Sequence, residues 1–130
     1  MSELQYCKVR GRLRSVGERV DQDGMPLFTP MEGEGYIACS VATLARVTEP
    51  ETFFPTRIPF VIDEDGYISK DGFPFIMVLA PSPALNPPDF NYRIRLQFAN
   101  GKLYGPFPFE ATPGGVVDVT DLIQAGMRHA

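Results

Sequence analysis

A proline-rich segment that runs directly into an alternating strand constrains the fold of this chain more than any other feature. Residues 81–88 read PSPALNPP and contain Pro81, Pro83, Pro87 and Pro88. Proline has no backbone donor and pushes the residue before it into extended geometry, so residues 80–89 cannot form a helix and are a poor interior strand. We therefore expect this segment to be a bridge between two elements of secondary structure.

The bridge leads into a stretch in which apolar and polar residues alternate. The apolar set occupies every second position: Phe90, Tyr92, Ile94, Leu96 and Phe98. The polar set fills the positions between them: Asn91, Arg93, Arg95 and Gln97. A period of two is typical of a half-buried antiparallel strand. We expect the apolar side chains to point into a core and the arginines to point away from it.

Turn-forming residues divide the rest of the chain into short strands. With 13 prolines and 12 glycines in 130 residues, no helical pattern of ordinary length survives. The predicted strands are residues 7–13, 25–30, 36–47, 57–62, 67–69, 73–80, 91–98, 102–111 and 116–119. Predicted turns include residues 17–24, 63–66, 71–72 and 100–101, the last as a type I′ hairpin because it reads Asn-Gly. Within residues 36–47, one face would carry Ile37, Cys39, Val41, Thr43 and Ala45.

About eight or nine short strands predict an all-β domain spanning residues 1–130, either an antiparallel two-sheet sandwich or a small barrel, and we expect the sandwich. Thr120 is expected to cap a short C-terminal helical turn that reaches Met127. The order of strands and turns is compatible with a transthyretin-like or immunoglobulin-like sandwich. Residues 102–111 contain Gly105-Pro106 and Pro108, which suits an edge strand.

Composition argues against several classes of protein. The net charge is −4, which disfavours a generic nucleic-acid binder. The first residues lack the pattern of a signal peptide, and no stretch approaches the roughly 18 apolar residues of a membrane span, so we expect no membrane insertion. Cys7 and Cys39 lie in different predicted strands without zinc-site spacing. We expect buried free thiols, while a disulfide stays open if the two strands are adjacent.

Residues suited to catalysis are scarce. His129 is the only histidine and lies second from the end, where a catalytic triad has little support. The segments Asp21-Gln22-Asp23-Gly24 and Asp63-Glu64-Asp65-Gly66 carry alternating oxygen ligands, yet neither completes a calcium-binding loop, and both suit hairpin turns. The sequence therefore predicts no enzyme, no metal and no cofactor.

Two segments are the predicted partner interface. One is the aromatic pair Phe53 and Phe54 between prolines, and the other is the proline bridge, which is pre-extended and loses little entropy on docking. The candidate residues are Phe53, Phe54, Pro81, Pro83, Leu85, Pro87, Pro88 and Phe90. The alternative is that these residues fold back on their own sandwich. The outer face of the first strand carries Lys8, Arg10, Arg12 and Arg14, which would either bind an acidic partner or form a solvated, aggregation-resistant edge.

A series of short motifs carries a resemblance to a known family. The motifs are Val9-x-Gly11-x-Leu13, Phe28-Thr29-Pro30, Asp63-x-x-Gly66, Leu85-Asn86-Pro87, Phe90-x-Tyr92-x-Ile94 and Pro113-Gly114-Gly115-x-Val117-Asp118-Val119-x-Asp121-Leu122. In this order they resemble a β-sandwich module of minor tail proteins from tailed phages that infect actinobacteria. The resemblance covers about residues 9–123. It departs from the module at residues 81–84, where Pro-Ser-Pro-Ala replaces an acidic run. The module commonly leads a longer fibre or baseplate protein, whereas this sequence ends at Ala130.

The resemblance implies a structural role. The chain would be made in the host bacterial cytoplasm and assemble noncovalently into the virion, at the tail tip, baseplate or fibre attachment region. Its partners would be other phage structural proteins or further copies of itself. The alternative is a capsid-surface decoration or a module that adheres to host polysaccharide, and a tail-associated glycan hydrolase comes third.

Overall fold

The computed structural model describes residues 3–128, and within this range the chain forms thirteen strands followed by one helix. In chain order the elements are β1 (Gln5–Arg10), β2 (Arg14–Val20), β3 (Pro26–Pro30), β4 (Gly33–Cys39), β5 (Leu44–Arg46), β6 (Thr52–Phe53), β7 (Ile58–Ile62), β8 (Ile68–Ser69), β9 (Ile76–Ala80), β10 (Leu85–Asn86), β11 (Tyr92–Phe98), β12 (Leu103–Phe109), β13 (Val116–Asp118) and α1 (Val119–Arg128). The predicted all-β class is confirmed, although the strands are more numerous than the eight or nine expected.

Two sheets pack face to face in a sandwich-like arrangement. The larger has five strands in the order β12-β11-β4-β7-β8, and the smaller has three in the order β13-β1-β9. Their inner faces contribute to one hydrophobic cluster, which includes Val9 and Val78 from the smaller sheet and Ile37 and Ile94 from the larger. The Tyr92 hydroxyl donates a hydrogen bond to the Leu79 carbonyl and so ties β11 to β9 across the sandwich.

Two smaller pairings complete the fold. Strands β10, β5 and β6 form a short sheet whose Leu44 and Leu85 extend the same core. Strands β2 and β3 form a separate two-stranded hairpin, which we call the hairpin arm. Strand β13 runs parallel to β1, whereas the other strand pairs within residues 3–128 are antiparallel, so the predicted purely antiparallel arrangement is wrong at this position.

The predicted register of the alternating strand is confirmed. Tyr92, Ile94 and Leu96 are buried in the core, while Arg93 is exposed and Arg95 is half-buried on the opposite side of β11. Strand β12 lies at the edge of the five-stranded sheet. Pro106 and Pro108 lack a backbone N–H, and at an edge this removes no hydrogen bond to a second neighbouring strand. The alternation of apolar and polar residues predicted this register correctly because the whole pattern lies within seven consecutive residues.

The Asn-Gly hairpin was predicted correctly in position but wrongly in type. The Gly101 N–H donates to the Phe98 carbonyl at 2.9 Å, and the Phe98 N–H donates to the Lys102 carbonyl at 2.9 Å. Gly101 is the one residue of this turn with a positive φ, which is 90°. The loop therefore has three residues, with glycine in the left-handed position, and is not a two-residue type I′ turn. The turn whose two central residues both have positive φ is Asp71 and Gly72, at 52° and 88°.

Two predicted boundaries are wrong because strand pairing, which the residue pattern did not reveal, decides them. Residues 17–20 are strand and not turn, since β2 continues to Val20 opposite Pro26 of β3. The predicted strand 36–47 breaks after Cys39, where Ser40 exchanges hydrogen bonds with Asn91: its N–H donates to the Asn91 carbonyl at 2.8 Å and its hydroxyl accepts the Asn91 N–H at 3.0 Å. Beyond the break the buried residue is Leu44, so the single face predicted from Ile37 to Ala45 does not continue through residues 36–47.

Helix α1 is capped two positions earlier than the sequence suggested, and it is longer. The Asp118 carboxylate accepts the Thr120 N–H at 2.9 Å, so Asp118 caps the helix and Thr120 lies within its first turn. The helix has 10 residues and contacts β12. Within residues 3–128 no helix is long and apolar enough to cross a membrane.

Candidate functional site

The sheet β13-β1-β9, which we call the three-stranded sheet, carries two kinds of side chain in separate halves of its outer face. In β1, Cys7 and Val9 point into the core, so Tyr6, Lys8 and Arg10 point outward. In β9, Ile76, Val78 and Ala80 point inward and Met77 points outward. Met77 lies opposite Lys8, and Tyr6 lies opposite Leu79, so an apolar half and a basic half meet at Lys8.

The apolar half forms a shallow groove of about 370 Å³, which we call the apolar groove. Tyr6, Phe54 and Met77 are 49%, 70% and 48% exposed along it. Phe53, Pro55 and Leu79 also line it, and none of the residues around the groove is charged. A cluster of large apolar side chains at this exposure is typical of an interaction site on a folded domain.

Strand pairing separates the two phenylalanines that the sequence singled out. Phe53 ends β6 and pairs with Leu44 of β5, so its side chain is half-buried and packs against the core. Phe54 follows the last paired residue of β6, and its ring lies largely in solvent. The Phe54 ring is therefore accessible at the surface, whereas Phe53 packs partly against the core.

The proline bridge is only partly available to a partner. Leu85 and Phe90 are 1% and 5% exposed, because β10 pairs with β5 and turns Leu85 inward while the Phe90 ring packs edge-on against Tyr92 at 5.8 Å. These two residues are in the core, which corrects their assignment as interface candidates. Pro83, Pro87 and Pro88 are exposed and Pro81 is half-buried.

The basic half forms a second groove, of about 530 Å³, which we call the basic groove. Its cations are Lys8, Arg10 and Arg12, and its remaining side chains include Tyr67, Phe75 and Asp118. The Lys8 Nζ lies 4.5 Å from the centre of the Phe75 ring, and the Arg12 Cζ lies 4.9 Å from the centre of the Tyr67 ring. The Arg12 Nε–H also donates to the Asp65 carbonyl at 2.9 Å, so two contacts orient this guanidinium.

Lys8 and Arg10 do not protect a sheet edge. Strand β1 pairs with β13 on one side and β9 on the other, so it is the central strand of its sheet, and the edge interpretation is wrong for these two residues. Arg14 instead begins β2 of the hairpin arm. Among residues 3–126, whose side chains the structure describes, the ion pairs within 4.0 Å involve Arg46 and Lys70. Lys8, Arg10, Arg12 and Arg14 thus have no carboxylate partner in the described part of the chain.

The hairpin arm presents a further apolar surface. Val16 lies opposite Phe28 and Val20 lies opposite Pro26, so these side chains share one face of the arm, and Val16, Val20 and Phe28 are all well exposed. The Arg14 Cζ lies 5.1 Å from the centre of the Phe28 ring. On the other face the Ser15 and Thr29 hydroxyls hydrogen-bond at 2.6 Å.

The acidic turns have the geometry that the sequence predicted. The Asp63 carboxylate accepts the N–H groups of Asp65 and Tyr67, each at 2.9 Å, and Asp21 makes the equivalent bonds to Asp23 and Met25 at 2.8 and 3.0 Å. Both carboxylates therefore stabilise turns. Among residues 3–128, no group of three or more His, Cys, Asp or Glu side chains could hold a metal ion. His129 lies outside the described residues.

Two groups have raised pKa values, and neither lies at an exposed site. Burial raises the pKa of the Cys7 thiol, opposed by a backbone hydrogen bond from Thr112. Burial also raises the pKa of Tyr92, with smaller contributions from Cys39 and Cys7. Both cysteines are free thiols, with Cys7 buried and Cys39 half-buried, which confirms the prediction for Cys7. A buried protonated thiol is a poor nucleophile.

Sequence reasoning missed four aromatic or apolar residues of the outer face: Tyr6, Tyr67, Phe75 and Met77. The alternation of β1 puts Tyr6 on the opposite side from the buried Cys7. Its neighbours on β9 come from a segment about 70 residues away, and residue periodicity does not indicate which distant strands pair. No protein-family model, no curated protein and no solved structure matches the chain. The likeness to phage tail modules therefore rests on the motifs quoted above.

Proposed function

We propose that this chain is a structural component of a tailed-phage virion, at the tail tip, baseplate or fibre attachment region, and that it assembles noncovalently through the apolar groove. The observation that carries the proposal is the uncharged groove around Phe54, whose ring is 70% exposed. The short motifs of the sequence supply the phage assignment, and the groove supplies the means of attachment.

The energetics of the groove suit assembly. Full burial of a phenylalanine or methionine side chain is worth about 1.5–3 kcal/mol, so covering Phe54 and Met77 would contribute substantially to a complex. The backbone of Phe53 is held in β6 beside β5, which fixes the start of the loop before any partner binds. A pre-ordered contact loses less conformational entropy on association.

The isolated chain is expected to be monomeric or weakly oligomeric. The groove is shallow, and the outer face of the five-stranded sheet carries charged side chains such as Arg95 and Glu34. Stable interfaces bury roughly 800 Å² per partner, more than three half-exposed side chains supply. The exposed prolines of the bridge would extend the contact once the chain meets its partner in the particle.

Incorporation into particles tests the proposal. The double variant Phe54→Ser, Met77→Ser removes the apolar contacts, and Val61→Ser is its matched control, since Val61 is 53% exposed on β7 of the other sheet. Mass spectrometry of purified particles should find the double variant reduced by about tenfold or more, which corresponds to 1.4 kcal/mol, and the control unchanged. Circular dichroism should show both variants folded.

Two outcomes would overturn the proposal. Equal incorporation of the double variant and the control would remove the apolar groove as the attachment surface. Absence of the unaltered chain from purified particles would remove the virion assignment. Where the chain is present, a cryo-EM map of the particle would give its location and show which surface the partner covers.

A further inference from the structure

We propose that the basic groove binds an extended acidic peptide that carries carboxylates at every second position. The site consists of Lys8, Arg10 and Arg12 with the rings of Phe75 and Tyr67, and it is separate from the apolar groove around Phe54. The inference does not depend on the phage assignment, because it rests on the charge and spacing of these side chains.

Charge is the first argument. The chain has a net charge of −4, yet these three cations lie together in one groove without a carboxylate within 4.0 Å in the described part of the chain. Cations on folded domains are ordinarily interspersed with acids, and a stripe of one sign attracts ligands of the opposite sign. The complementary ligand is therefore an anion.

Spacing is the second argument. Lys8 and Arg10 are alternate residues of β1, and Arg12 follows in an isolated bridge to Tyr67, so the three cations lie on one side of an extended segment. Alternate residues of a strand are about 6.6–6.8 Å apart. An extended peptide presents its own alternate side chains at the same repeat, so three carboxylates can meet three cations in register.

The aromatic rings argue for a peptide over a single-stranded nucleic acid. Single-stranded nucleic acids bind by stacking bases on open aromatic faces. In this groove Lys8 covers one face of Phe75 and Arg12 covers one face of Tyr67, so those faces are occupied by cations. The rings hold the cations in place for carboxylates, and Arg12 is further fixed by its bond to the Asp65 carbonyl.

One carboxylate within the groove opposes the ligand. Asp118 lies opposite Arg10 in the pairing of β13 with β1, and its Oδ1 caps helix α1 through the Thr120 N–H. Asparagine caps helices as well as aspartate does. The variant Asp118→Asn should therefore keep the helix while removing a negative charge, and it should tighten peptide binding.

The experiment compares two peptides of identical composition. One has the sequence Glu-Ala-Glu-Ala-Glu-Ala-Glu, and the other places its glutamates in one block followed by the alanines. Fluorescence anisotropy with the full chain at low ionic strength should give at least about tenfold tighter binding of the alternating peptide, a difference of 1.4 kcal/mol. The preference should weaken as salt screens the charges.

Matched variants locate the site. Arg12→Gln should weaken binding of the alternating peptide by about tenfold, whereas Arg57→Gln should leave it unchanged, although the Arg57 Cζ also lies over a tyrosine ring, Tyr36, at 4.3 Å. Equal affinity for the two peptides, equal loss in both variants, or weaker binding in Asp118→Asn would each overturn the inference. Tighter binding of oligothymidylate or heparin than of the peptide would also overturn it, in favour of a nucleic acid or an anionic sugar.

Discussion

The two sheets of the sandwich, β12-β11-β4-β7-β8 and β13-β1-β9, present their inner faces to one core but have very different outer faces. On the five-stranded sheet, a shallow groove of about 480 Å³ mixes both signs of charge, with Glu34 beside Arg57 and Arg95. On the three-stranded sheet, the apolar side chains and the cations occupy separate halves. Mixed charge suits a surface that remains in water, whereas segregated apolar and basic side chains are typical of a surface that binds something.

The contrast extends to the cation–π contacts. Arg57 over Tyr36 belongs to a surface that contains a carboxylate, Glu34, while Lys8 over Phe75 and Arg12 over Tyr67 belong to a surface whose one carboxylate, Asp118, caps a helix. The same local contact can therefore stabilise a solvated face in one sheet and hold cations ready for a ligand in the other. Local geometry alone does not distinguish the two roles.

The largest expected effect tests the shared inner face. Ile94→Ala removes a fully buried side chain from the centre of β11 and should lower the free energy of unfolding by about 2–5 kcal/mol. Arg93→Ala, on the adjacent outward position, should change it by no more than about 0.5 kcal/mol. Denaturant unfolding measures both. A larger loss in Arg93→Ala would mean that the register of β11 is shifted by one residue.

The next effect tests the hydrogen bond that joins the sheets. Tyr92→Phe removes the donor to the Leu79 carbonyl and should cost about 1 kcal/mol. Because burial raises the pKa of Tyr92 above its ordinary value of 10.0, the unfolded chain ionises first, so stability is full below that pH and falls as pH rises above it. Thermal unfolding at a series of alkaline pH values should show a smaller fall in Tyr92→Phe. An unchanged fall would assign the effect to other groups, such as the Cys7 thiol.

A smaller effect compares the cation–π contacts of the two outer faces. Arg57→Gln should lower the free energy of unfolding by about 0.5–1 kcal/mol, the range for exposed cation–π pairs, and Arg12→Gln by at least as much, because it also loses the hydrogen bond to the Asp65 carbonyl. Chemical denaturation measures these changes. Similar losses would show that the two contacts are equivalent within the isolated domain, so that a difference in peptide binding reports ligand contact. If only Arg12→Gln lowered the free energy of unfolding, instability would explain its weaker binding of the acidic peptide.

The smallest effect concerns the exposed apolar side chains themselves. Phe54→Ser and Val61→Ser should each change the free energy of unfolding by less than about 0.5 kcal/mol, because neither side chain is in the core. The two variants should differ in association, with sedimentation at high protein concentration showing weaker self-association only in Phe54→Ser. Equal behaviour would remove the contrast between the two outer faces.

Part of the candidate site was predictable from the sequence. Phe54 stood out because an aromatic pair between prolines is difficult to bury from a loop, and the structure leaves its ring in solvent. Leu85 and Phe90 were misassigned for the opposite reason. Proline-rich composition indicated an extended segment, but it did not reveal that Leu85 would pair with Arg46 and turn into the core. Pairing between distant strands has no local signature.

The sequence by itself determined the all-β class, the inward and outward sides of β1 and β11, and the positions of the turns at Asp63 and Asn100. These features depend on alternation and on turn chemistry within a few consecutive residues. Only the tertiary structure decided that β1 is central, that Tyr6 and Met77 share a face with Lys8, and that Asp118 caps the helix. Those outcomes follow from which strands pair, and pairing is set by the burial of one common core rather than by any single segment.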